Sequence, residues 1–219
     1  MTGLKPVFVY AKIFITPALR LGLYDGTSQI GPGFSPAYLK NRTMQIHDKP
    51  QIISALSEKI DAFNNYVDPL NKEQFETTPN GKWSAGQNLD HLIRAIKPLQ
   101  LAYGLPKFVL NILFGRTNRP SRTYDELVTK YKTKLAAGGK ASGPFIPPTI
   151  PFEKKNELIK KYAGQKQKLI TKIEKQSETD LDKYILPHPL LGKVTLREML
   201  YFTIHHNEHH LELLKKRTT

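Results

Sequence analysis

The 219-residue chain contains no cysteine. That excludes a disulfide scaffold, a Cys-x-x-Cys zinc or redox site and a cysteine nucleophile, so any metal must be held by His, Asp or Glu. No apolar run is long enough to cross a bilayer, which takes about 20 residues. Lys12 and Arg20 break the stretch from Pro6 to Tyr24, and the run from Phe108 to Phe114 is too short. No membrane association is therefore expected, and a cytoplasmic location is. Acidic residues are scarce, 19 against 33 basic ones, for a formal charge of +14. Such a balance favours anionic partners through steering, but it does not specify a fold. With 39% hydrophobic and 24% charged residues the chain can fill one core, which excludes global disorder.

Residues 1–43 stand apart. They carry Lys5, Lys12, Arg20, Lys40 and Arg42 against one acid, Asp25, and hold no sustained period. A secretory signal is one reading, although the interrupted apolar stretch and the want of an A-x-A-like site count against it. The favoured expectation is a poorly ordered extension, or a start assigned too early with Met44 as the first residue, ahead of a folded domain over 44–219.

From Met44 the periodicity predicts four long helices. Ile52, Leu56, Ile60, Phe63 and Val67 form an apolar stripe over 51–67, stopped by Pro69. Ser84 and Gln87 make a capping box that opens the second helix, which Pro98 should kink or end. Short helices are expected over 107–114 and 124–135, then a Gly/Pro-rich loop up to Pro151, of the kind that often covers a site. The third long helix is expected over 152–176. The fourth runs from the Thr195/Glu198 capping box to about Lys216. No strand pattern of useful length is visible. The expected fold is all-α, a four-helix bundle with a short helical insertion between its second and third long helices.

The chemistry lies in the seven histidines, four of which fall in His205-His206-Asn207-Glu208-His209-His210. Residues four apart share a helix face, so His205/His209 and His206/His210 can each meet one cation. Met199, Phe202 and Leu213 share the face of His206 and His210, the expected inward stripe. His205 points toward Tyr201, Glu208 and Glu212, the expected wetter side, and His209 sits at the edge. The third candidate is His91, the one histidine outside that run that falls within a predicted helix. Three neutral imidazoles with an open position describe a catalytic rather than a closed structural metal site. The competing reading is a surface cluster, since H-x-x-x-H alone is a loose motif. His188, in Leu186-Pro187-His188-Pro189, is either a loop residue or a base near the pocket mouth. His47 is assigned no role. Arg116, Arg119 and Arg122 suggest a nucleic-acid surface, but no recognition motif accompanies them.

Three segments resemble one known family. Trp83-Ser84-Ala85-Gly86-Gln87 through Asp90-His91-Leu92 is similar to the W-S-x-x-E/Q-x-x-x-H-L signature of the DinB-like family of metal-binding four-helix bundles. Pro189-Leu190-Leu191-Gly192 through Thr195 and Glu198 resembles its lead into the last helix, and His206-Asn207-Glu208-His209-His210 resembles its H-x-x-H-H ending. The resemblance covers about Gln45 to Lys216. It implies a divalent metal, zinc or nickel before iron or manganese, held by His91, His206 and His210, with Trp83 packing beside the site. Gln87 stands where many members have Glu. The resemblance further implies a small-molecule substrate, with a thiol S-transferase of the bacillithiol type as the first expectation. A metal-dependent hydrolase or a non-catalytic binding bundle is the alternative. By the same resemblance the protein would be a homodimer; the lack of a recognition motif argues separately for no specific nucleic-acid partner.

Overall fold

A computed structural model describes residues 46–141 and 143–216; the expected extension over 1–43 lies outside the described residues. Among the described residues the chain forms eight α-helices and one two-stranded hairpin. The four long helices are α1 (Lys49–Val67), α3 (Ala85–Tyr103), α6 (Lys155–Glu174) and α8 (Leu196–Lys215). Between them lie α2 (Lys72–Glu76), α4 (Lys107–Phe114), α5 (Tyr124–Ala136) and α7 (Glu178–Lys183). The all-α bundle with a helical insertion between its second and third long helices is thus the observed architecture.

Side-chain caps set most helix starts. Asp48, Ser84, Thr123 and Thr195 each accept from the backbone N–H three residues on, while the side chains of Gln51, Gln87, Glu126 and Glu198 return to the cap backbone. Each cap stabilises its helix by about 1 kcal/mol and fixes where the first turn begins. That start determines which residues face inward. The stripe Ile52, Leu56, Ile60, Phe63 and Val67 is fully buried. At roughly 1.5–3 kcal/mol per buried side chain, this packing far outweighs the caps in holding α1 to the bundle. Helix α1 packs on α6 and α8, α3 packs on α6 and α8, and α5 lies along the outside of α8.

Two expectations need correction. Of the two outcomes expected at Pro98, a kink or an end, the end is not found: helix α3 runs through it to Tyr103. Proline removes one intrahelical bond, at a cost of about 3 kcal/mol. Here Ile96, Leu99, Ala102 and Tyr103 are all buried, and their packing carries the helix past the break. Nor is the chain free of strands. β1 (Ile185–His188) pairs antiparallel with β2 (Gly192–Thr195), with Ile185 opposite Thr195 and His188 opposite Gly192. Gly192 has a φ of +74°, a left-handed conformation that glycine adopts without a Cβ clash. The hairpin ends at the Thr195 cap and so delivers the chain directly into α8.

Candidate metal centre

Helix α8 carries His206 and His210 on one face, a single turn apart, and both are buried. Helix α3 brings His91 against them. The Nε2 atom of His206 lies 3.1 Å from Nε2 of His91 and 3.0 Å from Nε2 of His210. The three residues are only 5%, 5% and 6% exposed for His91, His206 and His210. The group sequence reasoning singled out is therefore brought to one point, and its geometry could hold a metal ion.

The outer nitrogens show which atoms face inward. His91 Nδ1 lies 2.7 Å from the Phe145 carbonyl oxygen, which can only accept, so Nδ1 carries the proton. His210 Nδ1 lies 2.6 Å from Asn88 Oδ1. The amide orientation of Asn88 is fixed because its Nδ2 donates to the Trp83 and Ser84 carbonyls. His210 Nδ1 is therefore also a donor. In their neutral forms both rings aim a bare Nε2 lone pair at His206. One Nε2 proton on His206 can satisfy only one of them, whereas a cation satisfies all three. The observed separations are close to the roughly 3.3 Å edge set by a tetrahedral ion with Zn–N bonds of about 2.0–2.1 Å. The donor set thus fits a divalent metal.

Burial favours the neutral form of His91 and His206. Desolvation lowers the pKa of His91 despite its bond to Phe145 and the nearby Asp90 carboxylate. Desolvation, reinforced by His210 and His91, drives that of His206 well below the ordinary imidazole value. Neutral imidazole is the metal-binding form. Trp83 packs against the group, its ring centroid 4.9 Å from that of His91 and stacked on His210 at 6.3 Å. An indole offers no acceptor nitrogen, so its place is in the wall.

His91, His206 and His210 line a cavity of about 720 Å³. Its walls are largely apolar, with Leu99, Leu135, Met199 and Phe202 among the lining residues. The Gly/Pro-rich loop expected to cover a site does so: Phe145 and Ile146 line the cavity, while the Phe145 carbonyl holds His91. Lys82 and Lys140 stand exposed at its edge.

The remaining histidines divide. His209 lines the cavity at the edge of the cluster, its ring 5.3 Å from that of His210. His205 is not on a wet side; it is 7% exposed. Helix α5 covers it, with the Tyr131 ring 6.0 Å away, a tertiary contact that a helical wheel of α8 cannot show. Its Nδ1 lies 3.4 Å from Glu208, whereas its buried Nε2 has no hydrogen-bond partner among the described residues. His188 closes β1 and lines the cavity rather than standing in an open loop. His47 is exposed, away from the site.

Two residues that position the site had not been singled out. Asn88 lies one turn before His91, and its mark in the sequence was a small amide within an apolar helix. Phe145 acts through its carbonyl, which leaves no mark on the sequence. Of the three loop arginines, Arg119 makes a bidentate pair with the fully buried Glu198 at 2.6 and 2.8 Å, and Arg122 adds a bond at 3.2 Å. The Arg116 guanidinium lies 5.8 Å from the Tyr184 ring centroid. Arg119 and Arg122 thus anchor the loop to the α8 N-terminus. Among the described residues no helix is long and apolar enough to cross a membrane.

No curated protein matches the chain. The family model described as the DinB superfamily matches residues 55–214, a span that includes His91, His206 and His210.

Proposed function

The chain belongs to the DinB superfamily, and on that footing we propose that it is a divalent-metal-dependent thiol S-transferase acting on small molecules. His91, His206 and His210 would hold the ion, with zinc or nickel the first candidates. Three imidazoles do not by themselves select among first-row metals. The observation that carries the reading is the convergence of three imidazoles in the lining of a mostly apolar cavity.

A bound divalent ion would acidify a thiol that reaches it, making the nucleophilic thiolate available at neutral pH. The chain's own residues do the rest. Asn88 and the Phe145 carbonyl hold the two outer imidazoles in the tautomer that presents a lone pair. Trp83 and Phe202 pack against the rings and restrict water around them. The apolar walls would accept the body of an electrophile. The chain has no cysteine, so the thiol would arrive as a cosubstrate, the bacillithiol-type chemistry the family resemblance implies.

The test has two stages. Purified protein is analysed for metal alongside His91→Ala and His206→Ala. The expected result is about one equivalent in the wild type and a large loss in both variants; equal content in all three removes the site. The metal-loaded protein is then incubated with bacillithiol and 1-chloro-2,4-dinitrobenzene, and metal-dependent thiol consumption is expected. Metal binding without thiol consumption overturns the transferase reading. Metal-dependent release of nitrophenol from p-nitrophenyl acetate would redirect it to hydrolysis, in which the ion acidifies water instead.

A further inference from the structure

The cavity holds a second polar feature, set apart from the three-histidine group. The Nδ1 of His188 accepts from the backbone N–H groups of Leu190 and Leu191, each at 3.1 Å. A nitrogen that receives two N–H donors carries no proton, so the neutral ring bears its proton on Nε2. Burial, with Lys130 contributing, lowers the pKa of the ring to about 3, so this neutral tautomer persists at physiological pH. No hydrogen bond of that Nε2 is found among the described residues, nor is the atom one of the sealed, partnerless ones.

The ring is held on two sides. It lies 4.1 Å from Phe202 at an interplanar angle of 68°, and 6.5 Å from Tyr131 at 90°. Phe202 in turn stacks on His206, 4.8 Å away at 25°. His188 is thus one ring removed from the Nε2 group, in a cavity whose lining is mostly apolar, Leu135, Leu190 and Met199 included. A donor fixed in tautomer and orientation within an apolar wall selects for a ligand with a matching acceptor, since a ligand lacking one leaves the donor unpaired.

We propose that His188 is a specificity-determining residue whose Nε2–H donates to a carbonyl-type oxygen on the ligand, while the ligand's apolar body fills the cavity. The ligand class is therefore apolar molecules bearing such an oxygen, not plain hydrocarbons. This rests on reading the cavity as a ligand site, and it assigns His188 a role beyond holding its own turn.

Two probes with one carbon skeleton separate these roles: 4-phenylbutan-2-one, which has the oxygen, and n-butylbenzene, which lacks it. Binding to the full chain as purified is followed by ligand-observed NMR. His188→Asn keeps an acceptor at the Nδ1 position for the turn but removes the distal donor. His188→Gln keeps a distal donor but gives up the turn acceptor. The wild type should prefer the ketone. The Asn variant should lose about tenfold in ketone affinity, the size of one hydrogen bond, with hydrocarbon affinity unchanged. The Gln variant should keep the preference. A second readout needs no variant: the wild-type His188 Nε2 resonance should shift with the ketone and stay still with the hydrocarbon. Equal binding of the two probes, a silent Asn variant, or a resonance unmoved by the ketone overturns the proposal. Failure of both probes to bind the wild type overturns it together with the ligand-site reading, whereas metal content tests the ion site separately.

Discussion

Replacing Asn88 with alanine tests the metal-centre argument without touching any of the three imidazoles. Asn88 is 1% exposed. Its Oδ1 accepts from His210 Nδ1 at 2.6 Å, and its Nδ2 donates to the carbonyls of Ser84 at 2.8 Å and Trp83 at 3.1 Å. Truncation removes the Oδ1 acceptor from His210 Nδ1–H and the Nδ2 donor from the Trp83 carbonyl. The Ser84 carbonyl keeps the Asn88 backbone N–H at 3.0 Å. A lost partner of this kind behind a ligating histidine lowers metal affinity by about 10–100-fold, or roughly 1.4–2.8 kcal/mol of the stabilisation gained from a saturating ion. The metal-free protein should separately lose about 1–3 kcal/mol from the unmade buried bonds. Zinc affinity is measured by competition with a chromophoric chelator, and metal-free stability by urea unfolding. Asn88→Asp serves as the control. It restores an acceptor for His210 but turns a carboxylate toward two carbonyls, so it should bind zinc better than the alanine variant while being no more stable. If Asn88→Ala binds zinc as tightly as the wild type, His210 does not present Nε2 to an ion and the donor set has been misassigned.

Two further substitutions probe the frame around the site. Burial pushes the Glu198 carboxyl up, but its bonds to Arg119 and to the backbone N–H groups of Arg122 and Thr195 outweigh this and hold it below the ordinary 4.5. Its contribution to stability is therefore present at neutral pH and is lost as pH falls below about 4.5 and through the depressed folded value. Glu198→Gln should cost about 3 kcal/mol or more at pH 7, because two arginines lose their charge partner. It should also flatten the acid limb of a urea-midpoint-versus-pH curve, and an unchanged acid limb would refute the assignment. A Cβ added at Gly86 would fall 2.6 Å from Cε1 of Phe75 and 3.0 Å from Cβ of Ile150. Phe75 is fully buried with its ring against Phe152, so it has little room to yield. Gly86→Ala should destabilise by about 1–2 kcal/mol in urea unfolding, despite alanine's helix propensity.

The features legible in the sequence are those governed by local rules. The Ser84/Gln87 and Thr195/Glu198 boxes set the starts of α3 and α8, and from those starts the 3.6-residue period places His91, His206 and His210 inward. Features that depend on contact between distant segments were hidden. His205 looked wet on the wheel of its own helix, but α5 arrives from 70 residues away to cover it. The hairpin was missed because each strand has only four residues, with Pro187 in one and Gly192 in the other weakening any strand signal. His188 could be assigned neither to the loop nor to the pocket until the hairpin turn fixed its ring. The role of the basic loop was hidden too, because nothing in the sequence says that Glu198, both a capping residue and a buried charge, takes up Arg119 and Arg122.

The Phe145 peptide group faces two ways: its ring side furnishes the chamber and its oxygen fixes the tautomer of His91. The shape of the chamber and the electronics of the imidazole cluster are consequently not independent variables here. Redesign for a differently shaped guest can exchange the Phe145 side chain at little cost to the cluster. Shortening, lengthening or re-angling the main chain at that residue would alter how firmly the cluster could grip a cation, because the Phe145 oxygen holds the far nitrogen of the His91 ring.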